Sequence, residues 1–211
     1  MAIDLYLWAT PNGRKVSIML EELELPYTEK PINIGKREQF ASDFLAISPN
    51  NRIPAIVDHD GPGCKPISVF ESGAILLYLG EKEGKLIPTD PRKRIMCLEW
   101  LMWQMGGVGP MLGQAHHFLD GTKEEVPYAV GRYVNECHRL YGVLNKRLEN
   151  NEYVAGSEYS VADIAIIPWV QRHARHQTKL EDFVNVERWY KKLTQRPAVK
   201  RGMACLGGIN L

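Results

Sequence analysis

The sequence is poor in cysteine, and its cysteines are too far apart to suggest a redox pair or a zinc site. None belongs to a C-x-x-C motif, and the four residues are Cys64, Cys97, Cys137 and Cys205. A zinc site or a dithiol centre would need much closer spacing. A chain of 211 residues can bury a core without disulfide bonds, so we interpret the four cysteines as reduced structural residues.

The sequence also lacks a strong net charge and long apolar runs. Its 26 lysines and arginines nearly balance its 25 acidic residues, which leaves a formal net charge of +1. Such a chain is a poor candidate for binding nucleic acid or an anionic membrane through bulk charge. No apolar run approaches the roughly 18–20 residues that span a bilayer. Residues 1–5 do not resemble a secretory signal, so we expect a cytoplasmic protein.

The first 84 residues alternate between short β-rich runs and helical patterns. A hydrophobic content of 45% and a charged content of 24% are ordinary for a globular chain. The patterns predict, in chain order, a strand at 3–8, a turn at 10–13, a helix that Pro26 ends, a strand at 27–34, a helix at 39–47, strands at 55–57 and 67–70, and a helix at 71–83. A βαβ half joined to a ββα half is the thioredoxin arrangement, with the last two strands antiparallel.

Beyond residue 84 the pattern becomes helical. We divide the chain into a domain at 1–84, a linker at 85–92 and a domain at 93–211. Residues 130–148 trace a long amphipathic helix. Ser160 and Asp163 predict the start of another helix, with a capping box in which Asp replaces the usual Glu or Gln. A further helix has four apolar residues on one face: Ile95, Leu98, Met102 and Met105. The predicted fold class is therefore an α/β thioredoxin-like domain followed by an all-α domain.

The first of three functional motifs is residues 10–13, Thr-Pro-Asn-Gly, between the first strand and the first helix. The N–H groups and the dipole of a helix start attract anions and lower the pKa of a nearby thiol. A redox thioredoxin would carry C-x-x-C here, whereas this chain offers Thr10 and Asn12 as side-chain donors. Taken alone, the motif is better explained by a helix cap without a ligand.

The other two motifs precede a strand and open a helix. In residues 51–55, Pro54 stands at a strand start, where proline is tolerated. If the bond before it is cis, the backbone of Ile53 can pair with an extended peptide, although an ordinary trans turn is the commoner case. At residues 70–73, Ser72 suits a carboxylate and Glu71 an ammonium group, which together suit an amino-acid head. Taken alone, this third motif is also better explained by a plain N-cap without a ligand.

The chain carries these three motifs in the order and at the distances seen in the glutathione transferase superfamily, and it resembles that superfamily over essentially its full length. The matching segments are residues 10–13, 48–58, 70–79 and 159–165. Residues 103–111 and 114–118 are more specifically similar to the bacterial Nu class. The resemblance implies glutathione as the bound co-substrate, no metal, and a homodimer in which the first domain of one subunit faces the helical domain of the other.

The resemblance also implies roles for individual residues. Pro54 would be cis, with Ile53 pairing with the cysteinyl part of glutathione. Glu71 and Ser72 would hold the γ-glutamyl head, while Thr10 and Asn12 would direct donors at the sulfur. Arg52 or Lys36, together with Gln39, would lie near the glycyl carboxylate. Arg132 would reach the glutathione site of the partner subunit.

Three functions remain open on this basis. The first is glutathione-dependent reduction of a small disulfide without any protein cysteine, which is the activity that the Nu-class resemblance implies. The second is conjugation of glutathione to a small electrophile, or reduction of a peroxide. The third is a non-catalytic, regulatory or carrier protein that only binds glutathione. Rates on a disulfide and on an electrophilic carbon distinguish the first two, and binding without turnover identifies the third.

Overall fold

The computed structural model describes residues 3–208. By its contacts the chain forms two compact units, one composed of residues 3–85 with 195–208 and the other of residues 86–194. The sequence-based division differs from this at the C-terminus, because it assigned everything from residue 93 onward to the helical domain. The last segment instead makes its contacts with the first helix of the first unit.

The first unit is built on a four-stranded mixed sheet. The strands are β1 (Ile3–Leu7), β2 (Tyr27–Pro31), β3 (Ala55–Gly61) and β4 (Lys65–Phe70), in the order β2-β1-β3-β4. β1 and β2 are parallel, whereas β1 with β3 and β3 with β4 are antiparallel. This topology confirms the predicted thioredoxin-like domain. The second strand ends at Pro31, three residues earlier than predicted, and the third continues to Gly61.

The helices account for most of the remaining structure. They are α1 (Pro11–Glu22), α2 (Ser42–Leu45), α3 (Ser72–Glu83), α4 (Pro91–Trp103), α5 (Gly109–His116), α6 (Pro127–Leu148), α7 (Val161–Val170), α8 (Val184–Leu193) and α9 (Pro197–Met203). The continuous helix predicted at 39–47 is instead a 3-10 turn, Glu38–Phe40, followed by α2. The break falls at Ala41, whose backbone is extended (φ −64°, ψ 141°).

α1 is held tightly at its start and near its middle. At its start, a Cβ on Gly13 would lie 2.3 Å from the carbonyl oxygen of Trp8, so only glycine fits beside the end of β1. Towards its middle, a Cβ on Gly202 of α9 would lie 2.5 Å from the Cα of Ile18. The Ser17 hydroxyl donates to the carbonyl oxygen of Gly202 across the same contact, at 2.7 Å. These contacts fix the position of the helix start that bears the first motif.

The second unit is helical, and α7 lies at its centre with all of its residues buried. The predicted capping box at its start is confirmed, because Ser160 and Asp163 exchange both bonds. The buried Asp163 carboxylate also accepts from the Val154 N–H at 2.9 Å and from Trp189 Nε1 at 2.8 Å. Burial raises the pKa of Asp163 to about 6, although these three N–H donors and the Ser160 hydroxyl, which also donates to the carboxylate, act in the opposite direction.

The apolar face predicted for α4 is not the face that α4 buries. Ile95 is 59% exposed and Met102 49% exposed, whereas Cys97 and Leu101 are fully buried. Cys97 and Leu101 are four residues apart and form a second apolar stripe on the same helix. Hydrophobic spacing alone does not decide which of two stripes faces the core, and here the less conspicuous one does.

Two histidines are buried together in the helical unit. The rings of His116 and His176 stack at a centroid distance of 4.6 Å, and His116 also stacks on Trp169 at 5.8 Å. The Nδ1 atom of His176 is 3.1 Å from the Tyr141 hydroxyl. Burial lowers the pKa of His116 to about 4 and that of His176 to about 2, so both are neutral at physiological pH.

Between residues 3 and 208, no three or more His, Cys, Asp or Glu side chains are grouped so that they could hold a metal ion. Over the same residues, no helix combines the length and the apolar composition needed to cross a bilayer.

Candidate functional site

The first motif forms the start of α1 rather than a separate turn. Thr10 is the N-cap, with extended backbone, and its hydroxyl oxygen accepts from the Gly13 N–H at 3.3 Å. Pro11 occupies the first helical position, and the half-buried Asn12 follows it in the first turn. The prediction of a turn at 10–13 was wrong in this respect. A helix start at the end of a strand keeps N–H groups available to an anion, which a closed turn would not.

The second motif is a loop pinned by a buried serine. The Ser48 hydroxyl, which is fully buried, donates to the carbonyl oxygen of Arg52 at 2.8 Å. Asn51 has a positive φ of 49° in this loop, a conformation that asparagine tolerates better than most residues. The bond between Ile53 and Pro54 is cis, which confirms the expectation drawn from the resemblance.

The third motif opens α3 through an unusual backbone conformation. Glu71 is the N-cap residue with φ 69° and ψ 116°, and its carbonyl oxygen accepts from the Ile75 N–H at 2.9 Å. A positive φ at a residue other than glycine is uncommon and often marks a functional position. The Asn50 side-chain amide donates to Oε1 of Glu71 at 3.3 Å. Ser72 follows with only 6% of its surface exposed.

Strand pairing brings the three motifs to one end of the sheet. Tyr6 near the end of β1 pairs with Ala55 at the start of β3, and Ala55 pairs with Phe70 at the end of β4. The chain therefore leaves β1 towards Thr10, enters β3 from Pro54 and leaves β4 towards Glu71, all at the same edge. An extended peptide lying across this edge would meet a backbone segment at Ile53 and two helix starts.

The remaining predicted contacts are more scattered. Lys36 lies in the exposed 3-10 turn Ile34–Lys36, and Arg52 is exposed beside the second motif. Gln39 is half-buried, and its side-chain oxygen is buried without a hydrogen-bond partner among the described residues. Arg132 is exposed on α6 in the helical unit. The ligand-binding roles of all ten predicted site residues stay predictions.

The sequence analysis missed one charged residue in this region, Lys15. Its side chain is 1% exposed, and Nζ donates to the Ser72 hydroxyl oxygen at 3.4 Å. Burial lowers the pKa of Lys15 to about 7, and the neighbouring Glu71 carboxylate acts in the opposite direction. The signal was present in the sequence, because Lys15 stands four residues before Met19, which belongs to the buried stripe of α1.

The asparagine that orients Glu71 was also missed. Asn50 precedes the second motif in the chain, yet its amide contacts the third, 21 positions away. No local pattern in the sequence indicates this contact, because it depends on how β3 and β4 pair.

No cysteine belongs to any of the three motifs. Cys64 is exposed in the connection between β3 and β4, and the other three are buried. Burial raises the pKa of the thiols of Cys97 and Cys205, and raises that of Cys137 to about 12. A buried thiol with a raised pKa carries little thiolate and is a poor nucleophile.

Comparison with known proteins places this architecture in one family. The model of the glutathione S-transferase N-terminal domain matches residues 9–82, and that of the C-terminal domain matches residues 112–197. The disulfide-bond oxidoreductase YfcG of Escherichia coli K12 is 50% identical over 202 residues, which cover 95% of this chain and 94% of that protein.

Solved structures agree closely in fold. A glutathione transferase family member from Pseudomonas fluorescens pf-5, with two glutathione bound, has a TM-score of 0.92 and 45% identity over 96% of this chain and 92% of that one. A glutathione transferase from Pseudomonas putida, with one glutathione disulfide bound per subunit, has a TM-score of 0.93 and 44% identity over 98% and 92%. The chain therefore belongs to the glutathione S-transferase family.

Proposed function

We propose that the protein is a glutathione-dependent thiol–disulfide oxidoreductase that uses the thiol of bound glutathione and no cysteine of its own. The observation that carries the proposal is the start of α1. Thr10 and Asn12 stand there, at the end of β1, where a redox thioredoxin would hold its cysteines. The sulfur must therefore come from a ligand, and the cis Pro54 loop and the start of α3 lie at the same edge to hold one.

The chemistry follows from stabilising a thiolate at a helix start. Hydrogen bonds from Thr10 and Asn12, together with the N–H groups of the first turn, favour the ionised sulfur and lower the pKa of its thiol. The thiolate attacks one sulfur of a disulfide, and the other sulfur leaves as a thiolate. A second glutathione thiolate then attacks the mixed disulfide at the glutathione sulfur, releasing the reduced substrate and glutathione disulfide.

The relatives support this reaction order. During the second step, two glutathione molecules, or the glutathione disulfide that they form, must fit near a single site. The P. fluorescens protein was solved with two glutathione bound and the P. putida protein with one glutathione disulfide per subunit. The name of YfcG, which is half identical to this chain, describes the same reaction class. The acceptor that we propose is a small disulfide.

The test is reduction of 2-hydroxyethyl disulfide by glutathione. Because the Thr10 hydroxyl also caps α1, Thr10→Ala is compared with Thr10→Ser, which keeps an acceptor for the Gly13 N–H. We expect Asn12→Ala and Thr10→Ala each to lower kcat/KM at least tenfold, while Thr10→Ser retains most of the activity. Unchanged kcat/KM in both alanine variants would contradict the proposed roles.

A second comparison separates reduction from conjugation and from the use of a protein thiol. Wild-type protein is assayed with the disulfide and with 1-chloro-2,4-dinitrobenzene, and we expect kcat/KM to be higher for the disulfide. A variant that lacks every cysteine, with Cys64→Ser and alanine at Cys97, Cys137 and Cys205, should remain active. Its inactivity while folded would mean that a protein thiol takes part.

We also propose that the protein is a cytoplasmic homodimer in which Arg132 reaches the partner's glutathione site. The exposed position of Arg132 on α6 supports this role, and the exposed apolar side chains of Ile95 and Met102 on α4 suit a covered surface. Light scattering should give twice the chain mass. A monomer would contradict the dimer, and Arg132→Ala with unchanged KM for glutathione would contradict the role of the arginine.

A further inference from the structure

Lys15 is a buried cation that contacts the proposed glutathione site from inside the protein. It lies in the second turn of α1, with 1% of its surface exposed, and its ammonium donates to the Ser72 hydroxyl oxygen at 3.4 Å. Ser72 is the first residue of α3, directly after Glu71. Lysines are rarely buried to this degree, because removing an ammonium group from water is unfavourable unless an anion offsets it.

The charge on Lys15 is weakly favoured in the protein without ligand. Burial lowers the pKa of Lys15 to about 7, and the Glu71 carboxylate is the group that acts against this shift. A carboxylate arriving at the start of α3 would be a second anion close to the ammonium. It would raise the pKa of Lys15 and favour the charged form.

Charged groups on the elements packed against α1 form ion pairs with residues other than Lys15. α1 packs against α9, α3 and β1. Among the described residues, the ion pairs of these elements and their caps include Arg201 with Glu21, Arg196 with Glu22, Lys82 with Asp58, and Asp4 with Lys30 and His59. Arg14, next to Lys15 on α1, acts electrostatically on Cys205, on the side of α1 that faces the C-terminal segment. The Glu71 carboxylate is a charge that acts on Lys15 and favours its ammonium form.

We propose that Lys15 is a positioning residue of the glutathione site: its ammonium fixes the Ser72 hydroxyl and supplies the positive charge that attracts the γ-glutamyl carboxylate from beneath the start of α3. This inference rests on the proposed function, because it takes glutathione as the ligand. It has a consequence that a purely structural lysine would not have. Above neutral pH, binding of the tripeptide takes up a proton at Lys15.

The experiment is titration calorimetry at pH 8 in two buffers that differ in ionisation enthalpy. The ligand is S-methylglutathione, because its thioether cannot release a proton. Any proton taken up on binding then goes to the protein or to the amine of the ligand. The variants are Lys15→Met, which removes the charge, and Lys15→Arg, which keeps it without titrating. Lys85→Met is the matched control, because Lys85 is exposed at the far end of α3.

We expect wild-type protein and Lys85→Met to take up most of one proton per ligand at pH 8. Lys15→Arg should bind with an affinity within about threefold of wild type but take up far less, because arginine is already charged. Lys15→Met should bind at least tenfold more weakly and also take up little. In disulfide reduction, Lys15→Met should raise KM for glutathione while kcat changes less than twofold.

Two outcomes would overturn the inference, and they are distinguishable from failure of the proposed function. Proton uptake by Lys15→Arg equal to that of wild type would show that another group titrates, and this variant answers the question even if Lys15→Met does not fold. Wild-type affinity in folded Lys15→Met would remove the positioning role. If wild-type protein itself fails to bind S-methylglutathione, the proposed function fails with it.

Discussion

The contact between α1 and α9 makes a sharp prediction about Gly202. A Cβ at this position would lie 2.5 Å from both the Cα and the N of Ile18, and 2.7 Å from its Cγ1. Two of these neighbours are backbone atoms of a helix, so no rotamer change relieves the clash. Carbon atoms in ordinary contact are about 3.5–4.0 Å apart, so in Gly202→Ala the two helices must separate by about 1 Å.

The expected loss of stability follows from the groups involved. Overpacking of a close contact costs about 1–3 kcal/mol. Separation of the helices also weakens the bond from the Ser17 hydroxyl to the Gly202 carbonyl, 2.7 Å long and fully buried, which is worth about 1 kcal/mol. We therefore expect Gly202→Ala to lower the free energy of unfolding by about 2–4 kcal/mol. The change is large relative to the roughly 5–15 kcal/mol by which proteins of this kind are stable.

The assay is urea denaturation followed by circular dichroism, with Gly142→Ala as the matched control. Gly142 lies inside α6, and a Cβ there would meet no atom within 4 Å. Because alanine favours the helix by up to about 1 kcal/mol over glycine, the same substitution should stabilise the protein at that position. If Gly202→Ala loses less than about 1 kcal/mol, or if both variants shift in the same direction, the close packing described for α1 and α9 is refuted.

Three further predictions concern buried and strained residues. Asp163→Ala should lower the free energy of unfolding by about 3 kcal/mol, because three buried N–H donors lose their acceptor at about 1 kcal/mol each. Urea denaturation measures this loss, with Asp163→Asn, which keeps one acceptor oxygen, as the comparison. The pKa values of His116 and His176 are lowered in the folded protein, so between about pH 6.5 and pH 4 only the unfolded state takes up protons at these residues. The free energy of unfolding should therefore be highest above about pH 6.5 and fall as the pH is lowered towards 4. The melting temperatures of wild type and His176→Phe should differ above pH 6.5 and converge on acidification. Glu71→Gly should leave the free energy of unfolding within about 1 kcal/mol, because relief of the positive φ offsets the added chain flexibility, yet weaken glutathione binding at least tenfold by calorimetry; retained affinity would exclude Glu71 from the site.

Local patterns were sufficient for much of the first unit. The βαβ and ββα halves were evident from short β-rich runs and helical spacing, because each element there is punctuated by proline, glycine or a cap. The capping box at Ser160 and Asp163 was readable for the same reason, since both partners lie within one turn. The break in the helix predicted at 39–47 could not be foreseen, because the extended backbone at Ala41 leaves no mark in the composition.

Among the candidate site residues, too, local sequence patterns indicated some and not others. Thr10, Pro54 and Ser72 could be predicted as site residues because each stands at an element boundary, where its residue type has a local meaning. Lys15 and Asn50 were missed because their importance comes from contacts with residues far along the chain. The buried face of α4 was misassigned because two apolar stripes compete on one helix, and only packing decides between them.

The sequence by itself therefore determined the order and kind of the elements, the absence of a cysteine at the start of α1, and the residues that open α1, β3 and α3. These features depend on neighbours within a few positions, where steric and hydrogen-bonding preferences act directly on the chain. Only the tertiary structure decided that the last helix packs on the first, that a lysine is buried beneath Ser72, and which stripe of α4 is covered. Those outcomes depend on space and charge between segments distant in sequence, which no local pattern records.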